Sequence, residues 1–101
     1  MVRHLVLFAF KEEADSDKVE SLNRHFRTLP SLIPEIRKFE SGSDISVENK
    51  HHGFTRGYVL TFDGTEERDR YLVHPDHRAF SDQAGPLLKD VLVFDYEPDR
   101  V

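Results

Sequence analysis

The segment Tyr71-Leu72-Val73-His74-Pro75-Asp76-His77 gathers the residue types best suited to moving protons. Tyr71 and His74 are three apart at the end of one expected helix and so share a face, and His77 follows one turn later, beyond Pro75. An imidazole near its ordinary pKa of ~6.5 takes or gives a proton at neutral pH. A tyrosine hydroxyl donates to an oxygen on which negative charge develops. Together they suit proton abstraction beside a carbonyl. The same residues also read as a corner between two helices, with the imidazoles satisfying backbone groups at the break. A third reading makes His74, His77 and Asp76 ligands of a divalent cation. It lacks a further ligand at suitable spacing, and His51-His52 lie too far away in sequence to supply one.

Two more polar residues interrupt apolar strands. His4 opens a face shared with Val6, Phe8 and Phe10 and reads as a core histidine. Asp95 breaks Val91-Leu92-Val93-Phe94-Asp95-Tyr96. It is either a strand-end carboxylate in water or a buried one that needs a partner, for which a histidine would serve. His25 falls on the polar side of the first helix and is expected in solvent. The aromatic face of Phe8, Phe10, Tyr58 and Phe62, with His74, is expected to line a ligand pocket. There is no G-x-G-x-x-G, no P-loop and no G-x-S-x-G elbow.

These residues need a scaffold, and composition bounds it. The 101 residues carry 14 Lys and Arg against 19 Asp and Glu, a formal charge of −5. One domain, 1–101, is expected at this length. With 38% apolar residues and eight Phe, the chain is a folded soluble protein rather than a disordered one. No apolar run approaches the ~20 residues of a membrane helix. The opening apolar stretch lacks a small-residue cleavage site and meets Lys11-Glu12-Glu13 at once, so no signal peptide is expected and the address is cytoplasmic. The absence of cysteine excludes disulfides, thiolate metal sites and cysteine nucleophiles. The acidic balance argues against nucleic acid as a partner.

Periodicity predicts a strand over 3–10 and a helix over 16–29 with the stripe Val19, Leu22, Phe26 and Leu29, ended by Pro30 and Pro34. A second strand is expected over 36–47, bent near Gly42, and a third over 54–62. A helix over 65–74, capped by Thr65, breaks at Pro75 and resumes over 76–84; a last strand covers 91–96. The order is that of a ferredoxin-like β-α-β-β-α-β fold, an antiparallel four-stranded sheet with helices on one face. Leu5, Leu7, Val59, Val91 and Val93 or their neighbours would then leave the second face apolar and bare. A second copy packed sheet to sheet covers it, so a homodimer is expected.

His4-Leu5-Val6-Leu7-Phe8 with Phe10-Lys11, Gly42 with Asp44-Ile45-Ser46 and Glu48-Asn49, Gly53-Phe54-Thr55, Thr61-Phe62, the Tyr71–His77 segment and Val91–Tyr96 together resemble the stress-responsive A/B barrel domain family. The likeness covers nearly the whole chain, and Tyr-x-x-His-Pro-x-His is its most specific part. It implies a ferredoxin-like protomer that pairs into a dimeric α/β barrel. One plant member closes a polyketide ring by an aldol reaction without a cofactor. Carried over by position, its catalytic residues imply Tyr71 and His77, and its first-strand histidine implies His4. His77 would then remove the proton, Tyr71 would steady the enolate oxygen, and Asp95 would orient His77. Where cyclising relatives have a histidine, this chain has Arg56. Some plant members hold magnesium at the dimer junction through main-chain carbonyls, which implies Pro30, Ile33 and Ile36 here, in a loop that two prolines make different. Otherwise no cofactor is implied. Three functions follow as expectations: a binder of a small hydrophobic molecule with cofactor-free proton transfer, a non-catalytic structural homodimer, and, by fold analogy alone, a cofactor-free monooxygenase.

Overall fold

Alternation along β1 (Val2–Phe10) sets the architecture: Val2, His4, Val6 and Phe8 are buried, and Arg3, Leu5 and Leu7 between them only half-buried. In a computed structural model describing residues 1–101, β1 is followed by α1 (Ser16–Leu32), β2 (Lys38–Ser43), β3 (Arg56–Phe62), α2 (Thr65–Val73), α3 (Pro75–Ala84), a 3-10 turn (Gly85–Leu87) and β4 (Leu88–Tyr96). The strands form one sheet in the order β2-β3-β1-β4, with antiparallel neighbours throughout. This is the expected ferredoxin-like β-α-β-β-α-β fold, its second helix divided at Pro75.

Register assigns the two faces, because residues paired across strands project to the same side. His4 lies between Leu60 and Asp95, Val6 between Tyr58 and Val93, and Phe8 between Arg56 and Val91. All of these face the helices. Leu5, Leu7, Val59, Leu92 and Phe94 face the other way. The core sits where α1 lays Leu22, Phe26 and Leu29 over Tyr58, Leu60 and Phe62. Tyr58 donates to the buried Asn23 on α1, and burial pushes its pKa up to about 12, so it stays a donor. No helix covers β4 fully: Val91 and Val93 are exposed although they point to the helical side.

Several boundaries differ from the sequence expectation. α1 continues through Pro30 to Leu32. A proline so near the end removes one intrahelical bond, while Ile33, fully buried, keeps its N–H on the Leu29 carbonyl at 2.8 Å. β2 begins at Lys38 rather than 36, since Ile36 turns into the core, and it ends at Ser43. Ile45 and Val47 lie outside the ladder and are exposed. β3 starts at Arg56 rather than 54, and β4 at Leu88 rather than 91, directly from the 3-10 turn. α2 is capped by Gly64, without a side-chain bond, not by Thr65. A register shift between Ala9 and Phe10 buries Ala9 and leaves Phe10 half-buried at the core's edge. In the β2–β3 connection Gly53 has φ +84°, a left-handed conformation that glycine adopts without penalty. No helix is long and apolar enough to cross a membrane.

Candidate active site

His4, Tyr71 and His77 line one cavity of about 400 Å³ between the helical face of β1–β4 and the α2–α3 corner. Phe8, Phe26, Phe80, Leu88, Val91 and Val93 give it apolar walls, and Asp95 stands beside His4. A volume of this order takes a small organic molecule.

Each polar group reaches the cavity for a local reason. Pro75 opens α3 at its first position, where its missing N–H removes no helical bond. His74 caps α3: its Nδ1 accepts from the Asp76 N–H at 3.1 Å, so its proton sits on Nε2. The corner reading therefore describes His74 in full and His77 through one nitrogen, since that ring also bonds main chain. His77, one turn on, donates from Nδ1 to the Leu72 carbonyl at 3.2 Å. A carbonyl only accepts, so Nδ1 carries the hydrogen and Nε2 keeps its lone pair. Burial is the leading cause that lowers the His77 pKa from its ordinary value, with the Leu72 bond opposing it and His4 adding to it. His77 is thus a neutral imidazole with a free acceptor nitrogen at neutral pH.

Tyr71 is 1% exposed, its ring packed on Phe62 at 5.2 Å and on His77 at 4.4 Å between centroids. Burial raises its pKa well above the usual phenol value. The hydroxyl stays protonated and available as a donor. Neither that hydroxyl nor His4 Nε2 has a hydrogen-bond partner in the protein, yet the one side-chain polar atom fully buried without a partner is Arg56 Nε. Both residues line the cavity, and neither polar atom is fully buried.

His4 is 3% exposed, and its Nδ1 lies 2.6 Å from Asp95 Oδ1. The second carboxylate oxygen, Oδ2, accepts from Arg68 Nη1 at 2.9 Å. Arg68 Nε also donates to Asp69 Oδ1 at 3.0 Å, and these bonds, that to Asp95 first, raise the guanidinium pKa further. Asp95 accordingly orients His4 and not His77, a correction to the carried-over role. The reason is register: His4 and Asp95 are partners across β1–β4, whereas His77 is already held by Leu72. Asp95 is half-buried and paired rather than a carboxylate in water.

Other expected residues lie elsewhere. Of the aromatic face only Phe8 lines the cavity; Tyr58 and Phe62 are packed beneath the helices, Phe10 lies beyond the register shift, and His74 is occupied as a cap. His25 is not free in solvent: its ring bonds to Gln83 on α3 and meets Phe80 edge-on at 5.6 Å. Arg56 points along the helical face toward β2, bonding Ser43 and Ser41 at 3.0 and 3.2 Å, and does not enter the cavity. Nothing in the structure supports the implied magnesium site at Pro30, Ile33 and Ile36. Pro30 lies within α1, and the Ile33 carbonyl already accepts from the Ile36 N–H at 3.1 Å. No group of three or more His, Asp or Glu side chains is placed to hold a metal ion either, which removes the His74–Asp76–His77 cation reading. Residues that sequence reasoning missed are Arg68, hidden in the charged run Glu66-Glu67-Arg68-Asp69-Arg70, and the apolar walls from Phe26, Phe80 and Leu88.

A wider, open concavity of about 1040 Å³ lies on the opposite side of the sheet, under the 44–55 loop, with Leu7, Val59 and Leu92 as its floor. It holds none of the His4–Tyr71–His77 group.

Comparison with known proteins agrees with the fold. Residues 2–98 match the model of the stress responsive A/B barrel domain. The chain is 36% identical over 100 residues to the stress-response A/B barrel domain-containing protein HS1 of Arabidopsis thaliana, covering 99% of this chain and 92% of HS1. It is 31% identical over 99 residues to olivetolic acid cyclase of Cannabis sativa, covering 98% of each. Among solved structures it resembles a dimeric ferredoxin-like protein from Thermobifida fusca, with TM-score 0.81 and 28% identity over 94% of this chain and 88% of that one.

Proposed function

The chain belongs to the stress responsive A/B barrel domain family, and we propose that within it this protein is a homodimer that binds a small, mostly apolar carbonyl compound and moves a proton on it without a cofactor. The observation that carries this reading is the convergence of Tyr71, His77 and His4 on one apolar cavity, each with a polar atom left without a protein partner. His77 Nε2 takes a proton from the carbon beside the carbonyl. The Tyr71 hydroxyl donates to the oxygen as negative charge develops there. The imidazolium exchanges its proton with solvent and returns one (in D2O, a deuteron) to carbon or oxygen, so no net redox change occurs. The likeness to olivetolic acid cyclase supports this class of chemistry. The test is NMR of a panel of alkyl aryl ketones in D2O. The protein should bind some of them and speed deuterium incorporation at the α-carbon. Binding without exchange would leave a carrier, and neither would leave a structural dimer.

Activity should persist below the pH at which an ordinary histidine is half protonated. Burial lowers the His77 pKa, so the acid limb of the pH–rate profile should fall below ~6.5. Stability carries the same sign. The folded state binds fewer protons at this site than the unfolded chain, so the contribution of neutral His77 is fully present above ~6.5 and is lost as pH falls through the folded value. A pH–rate profile with its limb above 6.5 would contradict the assignment.

The homodimer rests on the outer sheet face. Phe94 is 58% exposed, and Leu92 and Tyr96 are also exposed, beside half-buried Leu5, Leu7 and Val59. Contiguous apolar surface of this kind marks an interface, and the Thermobifida fusca relative is dimeric. In sedimentation analysis the wild type should run at twice 11.8 kDa, and Phe94→Asp should shift it to the monomer. A wild-type monomer would contradict the reading.

A further inference from the structure

We infer that Arg68 is a positioning residue: acting through Asp95, it fixes the His4 ring with its proton on Nδ1 and its bare Nε2 turned into the cavity, as a second proton acceptor beside His77. The inference rests on the proton-transfer reading above for its purpose, and on geometry alone for its content.

β4 is an edge strand, and the Asp95 side chain is 23% exposed. A carboxylate there with one partner is free to turn toward water. Arg68 prevents this. It rises from α2 one turn before Tyr71 and takes Oδ2 at 2.9 Å while His4 holds Oδ1 at 2.6 Å. With both oxygens engaged from different elements, the carboxylate cannot rotate without breaking a charge-assisted bond. Arg68 is itself steadied by Asp69 at 3.0 Å. The aromatic neighbours of the His4 ring are Tyr71 and Phe62, edge-on at 5.8 and 6.2 Å. Neither gives a ring nitrogen a bond, so Asp95 alone selects the tautomer, and Arg68 holds Asp95. The result is two imidazoles flanking Tyr71, each with Nδ1 tied to protein and Nε2 free. The helix that carries Tyr71 is also the helix that sets His4.

The experiment is 15N NMR of the histidine side chains in the ligand-free protein, comparing wild type with Arg68→Met, Arg68→Lys and Asp95→Ala. The wild type should show a far-downfield, slowly exchanging Nδ1 proton on His4 and an unprotonated Nε2. Asp95→Ala should abolish that signal, and Arg68→Met should weaken it or mix the two tautomers. Arg68→Lys, which keeps the charge but not the fork, should retain the signal with faster exchange. In the ketone assay Arg68→Met should lower the exchange rate by up to about 100-fold at unchanged ligand affinity. Wild-type His4 signals in folded Arg68→Met would overturn the inference. Should that variant not fold, unaltered exchange of the Nδ1 proton in Arg68→Lys would do so. If wild type exchanges no ketone, the functional reading fails, while the tautomer result still decides the role of Arg68.

Discussion

Tyr71→Phe should slow α-proton exchange on a bound ketone by about 10²–10³-fold, the usual effect of removing one donor from a developing oxyanion. The fold should be almost unaffected. The hydroxyl has no partner in the protein, so its loss leaves no buried group unsatisfied. The ring, which packs on Phe62, His77 and His4, is retained. The change should appear in the rate more than in binding, because the hydrogen bond strengthens as charge reaches the oxygen. Exchange kinetics by NMR, with a thermal melt alongside, check this. An unchanged rate would remove Tyr71 from the chemistry, and a collapsed melt would make it a core residue only.

Phe26→Ala should have the largest effect on stability, about 3–5 kcal/mol. Phe26 is almost fully buried, and its ring lies 4.2 Å from Phe80, 4.5 Å from Tyr58 and 5.1 Å from Phe39 between centroids. It joins α1 to the sheet and to α3, and it forms one wall of the cavity. A domain of this size commonly has only ~5–15 kcal/mol in total. Truncation would therefore take a large share and open the apolar end of the cavity. Denaturant unfolding of the two proteins measures it; a loss below about 1 kcal/mol would mean that α1 and α3 are held by something other than this aromatic cluster.

The fold was legible because its signals are local. Alternation in β1 and β3, the stripe on α1 and the break at Pro75 each lie within a few residues. Boundaries were less so. α1 ran on past Pro30 because burial of Ile33 outweighed one missing hydrogen bond, a tertiary effect. In the site, Tyr71 and His77 stood out by spacing, but their partners did not. The bond of Asp95 to His4 depends on how β1 and β4 align, 91 residues apart in sequence. Arg68 sat in a run of charges that reads as a solvated helix face. The same strand parity that placed Phe8 in the cavity placed Tyr58 and Phe62 on its side of the sheet, yet which aromatics the helices cover is decided by packing, not by parity.

The central claim is that His77 removes a proton from a carbonyl compound held against Tyr71. Its most direct test is the rate of α-deuterium incorporation into a bound ketone, measured for wild type and His77→Ala at pH 7. The account predicts a fall of about 10²–10⁴-fold in the variant, with the ketone still bound and the protein still folded. Equal rates in the two proteins, with the same ketone in the same cavity, would contradict it.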